Sequence, residues 1–228
     1  MIAFKSTDNK NYFINQTCIF YEKNTNERIK FLKKNQFFYN EISKILKTII
    51  SESNLSFFFC CGNSNIVQKI EADKICIQDI SEKIVSDFTS EYQKLSEEEN
   101  DFTEYNNVVI ADIEHQIDPL ENLKKLSSNI SDDCNVILIS KSLIWSGIFK
   151  IIKIFQRNKF TSEYNYLSFN YIKNLVDISD FEIVKNEKGI IFPFNIPVIT
   201  PFLNRVFRFP ILNFFCMINF TVLKKKKN

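Results

Sequence analysis

Histidine, tryptophan and glycine are nearly absent: the 228 residues hold one His, one Trp and three Gly. A single imidazole excludes the centres that take several histidines to a metal, and no metal site is expected. Three glycines and five prolines exclude collagen-like, low-complexity and linker-dominated chains. Neither charge is in excess. Lys plus Arg number 29 against 27 Asp plus Glu, and the net charge of +2 gives no electrostatic footprint for nucleic acid, which is not expected as a partner. Cys18, Cys60, Cys61, Cys76, Cys134 and Cys216 form no CxxC pair and no disulfide-like spacing, which suits the reduced thiols of a cytoplasmic protein. Residues 1–10 carry Lys5, Asp8 and Lys10 and no apolar signal core. No uncharged window reaches the roughly 18–20 residues a membrane-spanning helix needs. The longest uncharged stretch, residues 189–204, is broken by Pro193, Pro197 and Pro201.

What is present is ordinary globular material, 45% apolar and 25% charged, enough for one core. Residues 1–35 show no sustained period. From Asn40 to Ser53, Ile42, Ile45, Leu46 and Ile49 make one helical stripe, so residues 1–53 read as a helical lead-in. The apolar run from Leu55 to Phe59 reads as a buried strand that turns at Gly62. Ile66, Val67 and Ile70 suit a short helix; Ile75 to Ile77 make a second strand ending at Asp79; Ser81 can cap a helix carrying Ile84, Val85 and Phe88. Residues 90–105 are acidic and polar, with room for one short strand. Val108 to Ile110 form the next strand, followed by a helix that opens at Pro119 and buries Leu120, Leu123, Leu126 and Ile130, then by the run Val136 to Ile139. Such alternation predicts βαβ units, a parallel sheet and helices on both faces. Further on, residues 143–155 suggest an apolar helix. Ser168 can cap a helix bearing Ile172, Leu175 and Val176, and Phe181 to Val184 read as a strand. An apolar, proline-punctuated cover occupies about residues 190–215, and Met217 to Leu223 read as a last, antiparallel strand before the lysines Lys224 to Lys227.

An open parallel sheet binds ligands beyond the carboxyl ends of its strands. Three strand-to-helix turns bring suitable groups there: Cys60, Cys61, Gly62, Asn63 and Ser64; Asp79 and Ile80; and Asp112, Ile113, Glu114 and His115. Asp79 ends the second strand, the place where a carboxylate meets a ribose diol in dinucleotide-binding folds, so a ribose-containing cofactor is indicated.

These residues resemble a class I S-adenosylmethionine-dependent methyltransferase from about Leu55 to the C-terminus, residues 54–228 forming the methyltransferase-like domain. The first motif corresponds to FFFCCGNSN, with Cys60, Gly62 and Ser64 where three glycines usually stand. The acidic tip of the second strand corresponds to Asp79 in ICIQDIS, and the turn after the next strand to ADIEHQIDP at Ala111 to Pro119. ISDFEIV resembles the late helix-to-strand join, Ser179 and Asp180 taking the place of a small residue and glycine. Residues 196–225 resemble the end of a subgroup of bacterial methyltransferases found with glycosyltransferases. The resemblance implies a seven-stranded, mostly parallel Rossmann-like α/β sheet with an antiparallel last strand, and S-adenosylmethionine as cofactor. It places Cys60, Cys61, Gly62 and Asn63 near the methionine portion, Asp79 on the ribose hydroxyls, Ile80 beside the adenine and Asp112 under the methionyl end. The acceptor it implies is a small molecule or one linked to lipid or sugar.

Other roles for these groups stay open. Cys60 and Cys61 can be plain buried residues, Asp79 a helix cap, and Asp112 and Glu114 solvated loop acids. His115, the one histidine, suits acceptance of a proton from the substrate, or a structural place against the helix at Pro119. A Cβ at Cys60 and at Ser64 is expected to enter the cofactor's space. Either the turn follows another path, or cofactor binding is lost and the chain is a noncatalytic interaction module of an envelope-sugar pathway. A peripheral membrane contact through the apolar cover, Arg205, Arg208 and Lys224 to Lys227 is the secondary expectation for location.

Overall fold

The computed structural model describes residues 24–50, 55–60, 64–70, 74–78, 82–88, 93–94, 101–111, 113–116, 118–145, 147–148, 167–190, 200, 202 and 215–227. Helices α1 (Thr25–Lys34) and α2 (Gln36–Ile49) precede β1 (Leu55–Phe59), a 3-10 turn (Ser64–Val67), β2 (Lys74–Gln78), α3 (Glu82–Phe88), β3 (Gln93–Lys94) and β4 (Asn107–Ile110). A second 3-10 turn (Ile113–His115), α4 (Pro119–Asn129), β5 (Asn135–Lys141), α5 (Phe169–Ile178), β6 (Phe181–Gly189) and β7 (Ile218–Lys225) follow.

The strands form one seven-stranded sheet in the order β3-β2-β1-β4-β5-β7-β6. Neighbours from β3 to β5 pair parallel, and β7 pairs antiparallel with both β5 and β6. The expected α/β architecture with an antiparallel last strand is therefore present. Its cause is visible in β1, where both faces are covered and the run is apolar throughout: Phe58 points to one face, Phe57 and Phe59 to the other. On the first face, α1 and α2 bring Ile29, Leu32, Tyr39, Ile42 and Leu46 onto Phe58, Ile77, Val109, Ile137 and Phe220. On the second, Leu123 and Leu126 of α4 and Ile172, Leu175 and Val176 of α5 cover Phe57, Val108, Val136 and Leu138. There Phe57 also meets Phe102 and Tyr105 edge-on, at 5.0 and 5.3 Å between centroids.

Two helix starts follow directly from local chemistry. Asp118 accepts from Glu121 N at 2.9 Å with Pro119 in the first turn, and Ser168 accepts from Tyr171 N at 3.1 Å. Asp180 ends α5 with φ 60°, the left-handed conformation, at the position where the resemblance calls for glycine.

Three elements differ from expectation. Helix α1 lies in the stretch without a period, because only Ile29 and Leu32 reach the core on it, beside a buried Arg28 whose guanidinium stands 5.2 Å over the Phe31 ring. Strand β6 continues past Val184 to Gly189 through a bulge between Ile183 and Lys185, its charged half held by pairing with β7. Lys224 and Lys225 are strand residues rather than a tail.

At the amino ends of the parallel strands a polar ladder sets the register. Asn107 Nδ2 donates to Ser56 Oγ at 3.3 Å, Asn135 Nδ2 donates to Asn107 Oδ1 at 3.2 Å, and Leu55 N donates to Asn106 Oδ1 at 2.9 Å. Because β7 runs antiparallel, it delivers its lysines to this same end: Lys225 pairs with Asp132 at 3.0 Å, and Lys226 Nζ donates to the Asp177 carbonyl at 2.8 Å.

Candidate functional site at the carboxyl ends of the strands

Parallel pairing puts the ends of β1, β2, β4 and β5 on one edge of the sheet, with the end of β6 and the start of β7 beside them. All three turns singled out in the sequence leave from that edge. Cys61, Gly62, Asn63, Asp79, Ile80 and Asp112 themselves lie outside the described residues, as do residues 149–166 and most of the proline-punctuated cover, Arg205 and Arg208 included. His115 is described in its backbone, as the last residue of the second 3-10 turn, but not in its side chain.

The frame around these turns is well defined. Cys60 is fully buried and packs with Phe58, Ile66 and Ala111 in the first-face core, so its side chain points into the protein. Ser64 is fully buried too. Ala111 N donates to Phe59 O at 2.9 Å, carrying the β1–β4 pairing one residue further toward the edge. Beyond it, the buried Glu114 carboxylate accepts the Lys141 backbone N–H, which pins the loop after β4 to the end of β5. Asn122 Nδ2 donates to Gln116 Oε1 at 3.1 Å, and the Asp118 cap closes the same loop. The second 3-10 turn, which carries His115, is thus tied to β5 and to α4.

Next to it, Ser142 N donates to Met217 O at 2.7 Å and Trp145 Nε1 donates to Phe215 O at 2.8 Å, joining the exit of β5 to the entry of β7. Leu143 and Phe215 remain about half exposed there, at 50% and 48%, which leaves an apolar rim on this edge. Helix α2 closes the first face: Ser43 Oγ donates to Ile66 O, and Ile45 packs so closely on Gly189 that a Cβ there would run into its Cδ1.

Sequence reasoning missed a second set of groups. Asn65 is 2% exposed, and neither Oδ1 nor Nδ2 has a hydrogen-bond partner. The hydroxyls of Ser140 and Thr221 are likewise buried and unpaired. Asn65 follows the β1 turn directly; Ser140, opposite Asn219 near the end of β5, and Thr221, opposite Leu138 at its middle, share the second face. A polar residue inside an otherwise apolar strand or turn was the available signal. Among the described residues no group of three or more His, Cys, Asp and Glu could hold a metal, and no helix is long and apolar enough to cross a membrane.

No family model matches the chain, and no curated protein matches it in sequence. Solved structures do share its fold. A SAM-dependent methyltransferase of Thermotoga maritima, described as a possible histamine N-methyltransferase, superposes with a TM-score of 0.67 at 13% identity, over 90% of this chain and 98% of that one. The 1,6-didemethyltoxoflavin-N1-methyltransferase of Burkholderia thailandensis, solved with 1,6-didemethyltoxoflavin and S-adenosylhomocysteine, gives 0.59 at 8% identity, over 97% and 92%. The magnesium protoporphyrin IX methyltransferase of Synechocystis, solved with S-adenosylhomocysteine, gives 0.51 at 12% identity, over 84% and 83%. The architecture is the Rossmann-like fold of SAM-dependent methyltransferases.

Proposed function

We propose that the protein is a cytoplasmic S-adenosylmethionine-dependent methyltransferase acting on a small acceptor, or on one linked to lipid or sugar. The observation that carries this reading is the overall fold, which superposes on SAM-dependent methyltransferases along most of both chains. Fold alone is an associational warrant for activity, so the residues must be asked whether they suit the cofactor. Two observations favour it. Cys60 turns its side chain into the core, which removes one of the two expected intrusions at the glycine-poor turn. Asn65 keeps an orphaned carboxamide beside that turn.

In this reading the turn bearing Cys60, Cys61, Gly62 and Asn63 lies along the methionyl portion, Asp79 holds the ribose hydroxyls, Ile80 flanks the adenine and Asp112 supports the methionyl end. The bound cofactor supplies an electrophilic methyl group on sulfur. The chain's own work is to align the acceptor in line with the methyl–sulfur bond, exclude water and take up the acceptor's proton. His115 suits that last task, because an imidazole titrates near neutrality and its loop is anchored by Glu114 and Asp118. The exposed Leu143 and Phe215 favour an acceptor with an apolar part.

Calorimetric titration with S-adenosylmethionine and S-adenosylhomocysteine tests the reading, with Asp79→Ala as control. Micromolar binding that Asp79→Ala weakens at least about tenfold is expected, since a charged hydrogen-bond pair to the ribose contributes about 1.5–3 kcal/mol. No binding at millimolar ligand would leave the noncatalytic interaction module as the reading.

A further inference from the structure

Buried polar side chains that serve the fold have their partners in it: Ser43 bonds the Ile66 carbonyl, Ser56 and Asn107 bond each other, and Ser127 and Ser179 bond carbonyls one turn back on their own helices. Ser140 and Thr221 differ. Their exposures are 1% and 0%, and neither hydroxyl has a hydrogen-bond partner. Strand alternation puts both on the second face, Ser140 with Val136 and Leu138 of β5 and Thr221 with Leu223 of β7. Pairing sets the buried Asn219 directly across from Ser140 and next but one to Thr221, so the three polar side chains form one group. On the other side of β7, Lys188 and Asn186 of β6 stand opposite Asn219 and Thr221 and extend the group across three strands. The apolar contacts of α4 and α5 lie further from the carboxyl edge, on Val136, Leu138, Leu223 and Phe181.

At that edge the group meets the apolar rim. Leu143 follows the end of β5, just past Ser140, and Phe215 precedes the start of β7, just before Asn219. The bonds from Ser142 N to Met217 O and from Trp145 Nε1 to Phe215 O hold the two segments side by side. We propose that this join of β5 and β7 is the acceptor site and that the acceptor is an amphiphile, its hydroxylated head bonded by Ser140, Thr221 and Asn219 and its apolar portion lying on Leu143 and Phe215. Calling the ligand an acceptor rests on the methyltransferase reading; the recognition itself does not. Hydroxyls and a carboxamide both donate and accept, which matches ligand hydroxyls that do the same. An ionic head is disfavoured, because Lys188 at one end of the row is balanced by the Glu114 carboxylate, which accepts the Lys141 N–H beside Ser140. The Ser140 and Thr221 hydroxyls are covered, so a head reaches them by side-chain rearrangement of the size common on binding.

Trp145, the one tryptophan, is bonded to Phe215 and packed on the first-face core, so its fluorescence reports occupancy of the rim without any cofactor. Octyl glucoside, with a sugar head, and tetraethylene glycol monooctyl ether, with the same tail and an ether head, are titrated below their micelle concentrations. The proteins are wild type, Ser140→Ala, Thr221→Val and Leu143→Asn, each melted alone as well. Saturable binding of octyl glucoside is expected, at least about tenfold tighter than of the ether; Ser140→Ala and Thr221→Val should each weaken it at least about threefold, leave the ether within about twofold, and melt no lower than wild type. Leu143→Asn should weaken both amphiphiles alike. Equal wild-type affinity for the two would overturn the assignment and leave an apolar surface suited to a bilayer. So would unchanged octyl glucoside affinity in both hydroxyl variants or in Leu143→Asn, no saturable binding of either amphiphile, or lowered midpoints or failure to fold in the hydroxyl variants, which mean that the hydroxyls bond buried water. Failure here leaves the calorimetric test with S-adenosylmethionine standing; the expected amphiphile pattern without S-adenosylmethionine binding overturns the methyltransferase reading and keeps the head recognition.

Discussion

At the amino ends of β1, β4 and β5, Ser56, Asn107 and Asn135 are hydrogen-bonded in a continuous ladder. Toward the carboxyl ends, Asn65, Ser140 and Thr221 are as deeply buried and have no partner. The same side-chain chemistry meets opposite fates within one sheet. At the first end the polar groups choose a register, since a strand slipped by one residue would leave all of them unsatisfied. At the second they make no hydrogen bond within the fold, so their burial is not offset by a protein partner. The charged groups divide in the same way. Lys225 and Lys226 are tied to Asp132 and the Asp177 carbonyl at the closed end, away from the edge where a substrate or a membrane would be met.

The comparison breaks most severely at Asn107. Replacement by Leu removes the centre of the ladder and strands the Ser56 hydroxyl and the Asn135 amide; a loss of about 3 kcal/mol in urea unfolding is expected, with ligand affinity unchanged. At the open end the same kind of change acts in reverse. Thr221→Val deletes an orphaned hydroxyl at constant shape and is expected to raise stability by about 1 kcal/mol; a loss instead would mean that the hydroxyl has a partner. Asp180→Gly, at the closed end, relieves a φ of 60° while freeing the unfolded chain, and a net gain near 0.5 kcal/mol is expected from thermal melts.

Cys134 gives the smallest effect at neutral pH. It sits at the amino end of β5, where burial pushes its thiol up from 9.0 to about 12. The folded protein therefore holds a proton that the unfolded chain releases above pH 9. Its contribution to stability is complete below pH 9 and is lost as pH rises through about 12, and Cys134→Ala should flatten that alkaline decline. Peptide mapping after iodoacetamide treatment at pH 8 should find Cys134 unmodified in the native protein.

Much of the fold was legible because its signals are local. Four apolar runs became β1, β2, β4 and β5, and Asp118 with Pro119, and Ser168, began helices where capping chemistry places them. Asp180, standing where the resemblance has glycine, takes a left-handed φ of 60°. What escaped was decided by contacts distant in sequence. Helix α1 has too few apolar residues to announce itself and is held by the first-face core and by Lys33, which pairs with Asp87 of α3 at 2.8 Å. The charged half of β6 becomes a strand because β7 lies beside it. At the candidate site the turns were legible as positions on a sheet edge. Glu114, read as a solvated acid among other choices, is buried against the Lys141 amide, a contact 27 residues away.

By itself the sequence determined where β1, β2, β4 and β5 lie, how the two-sided burial of β1 demands helices above and below it, and which turns follow the carboxyl ends of the strands. Those features rest on patterns within a few residues, where backbone sterics and the hydrophobic effect act locally. Only the tertiary structure decided which polar groups are spent on the fold and which are left over. Hydrogen-bond satisfaction depends on what stands three ångströms away, and for Asn65, Asn107 and Thr221 that neighbourhood is assembled from strands and helices far apart in the chain.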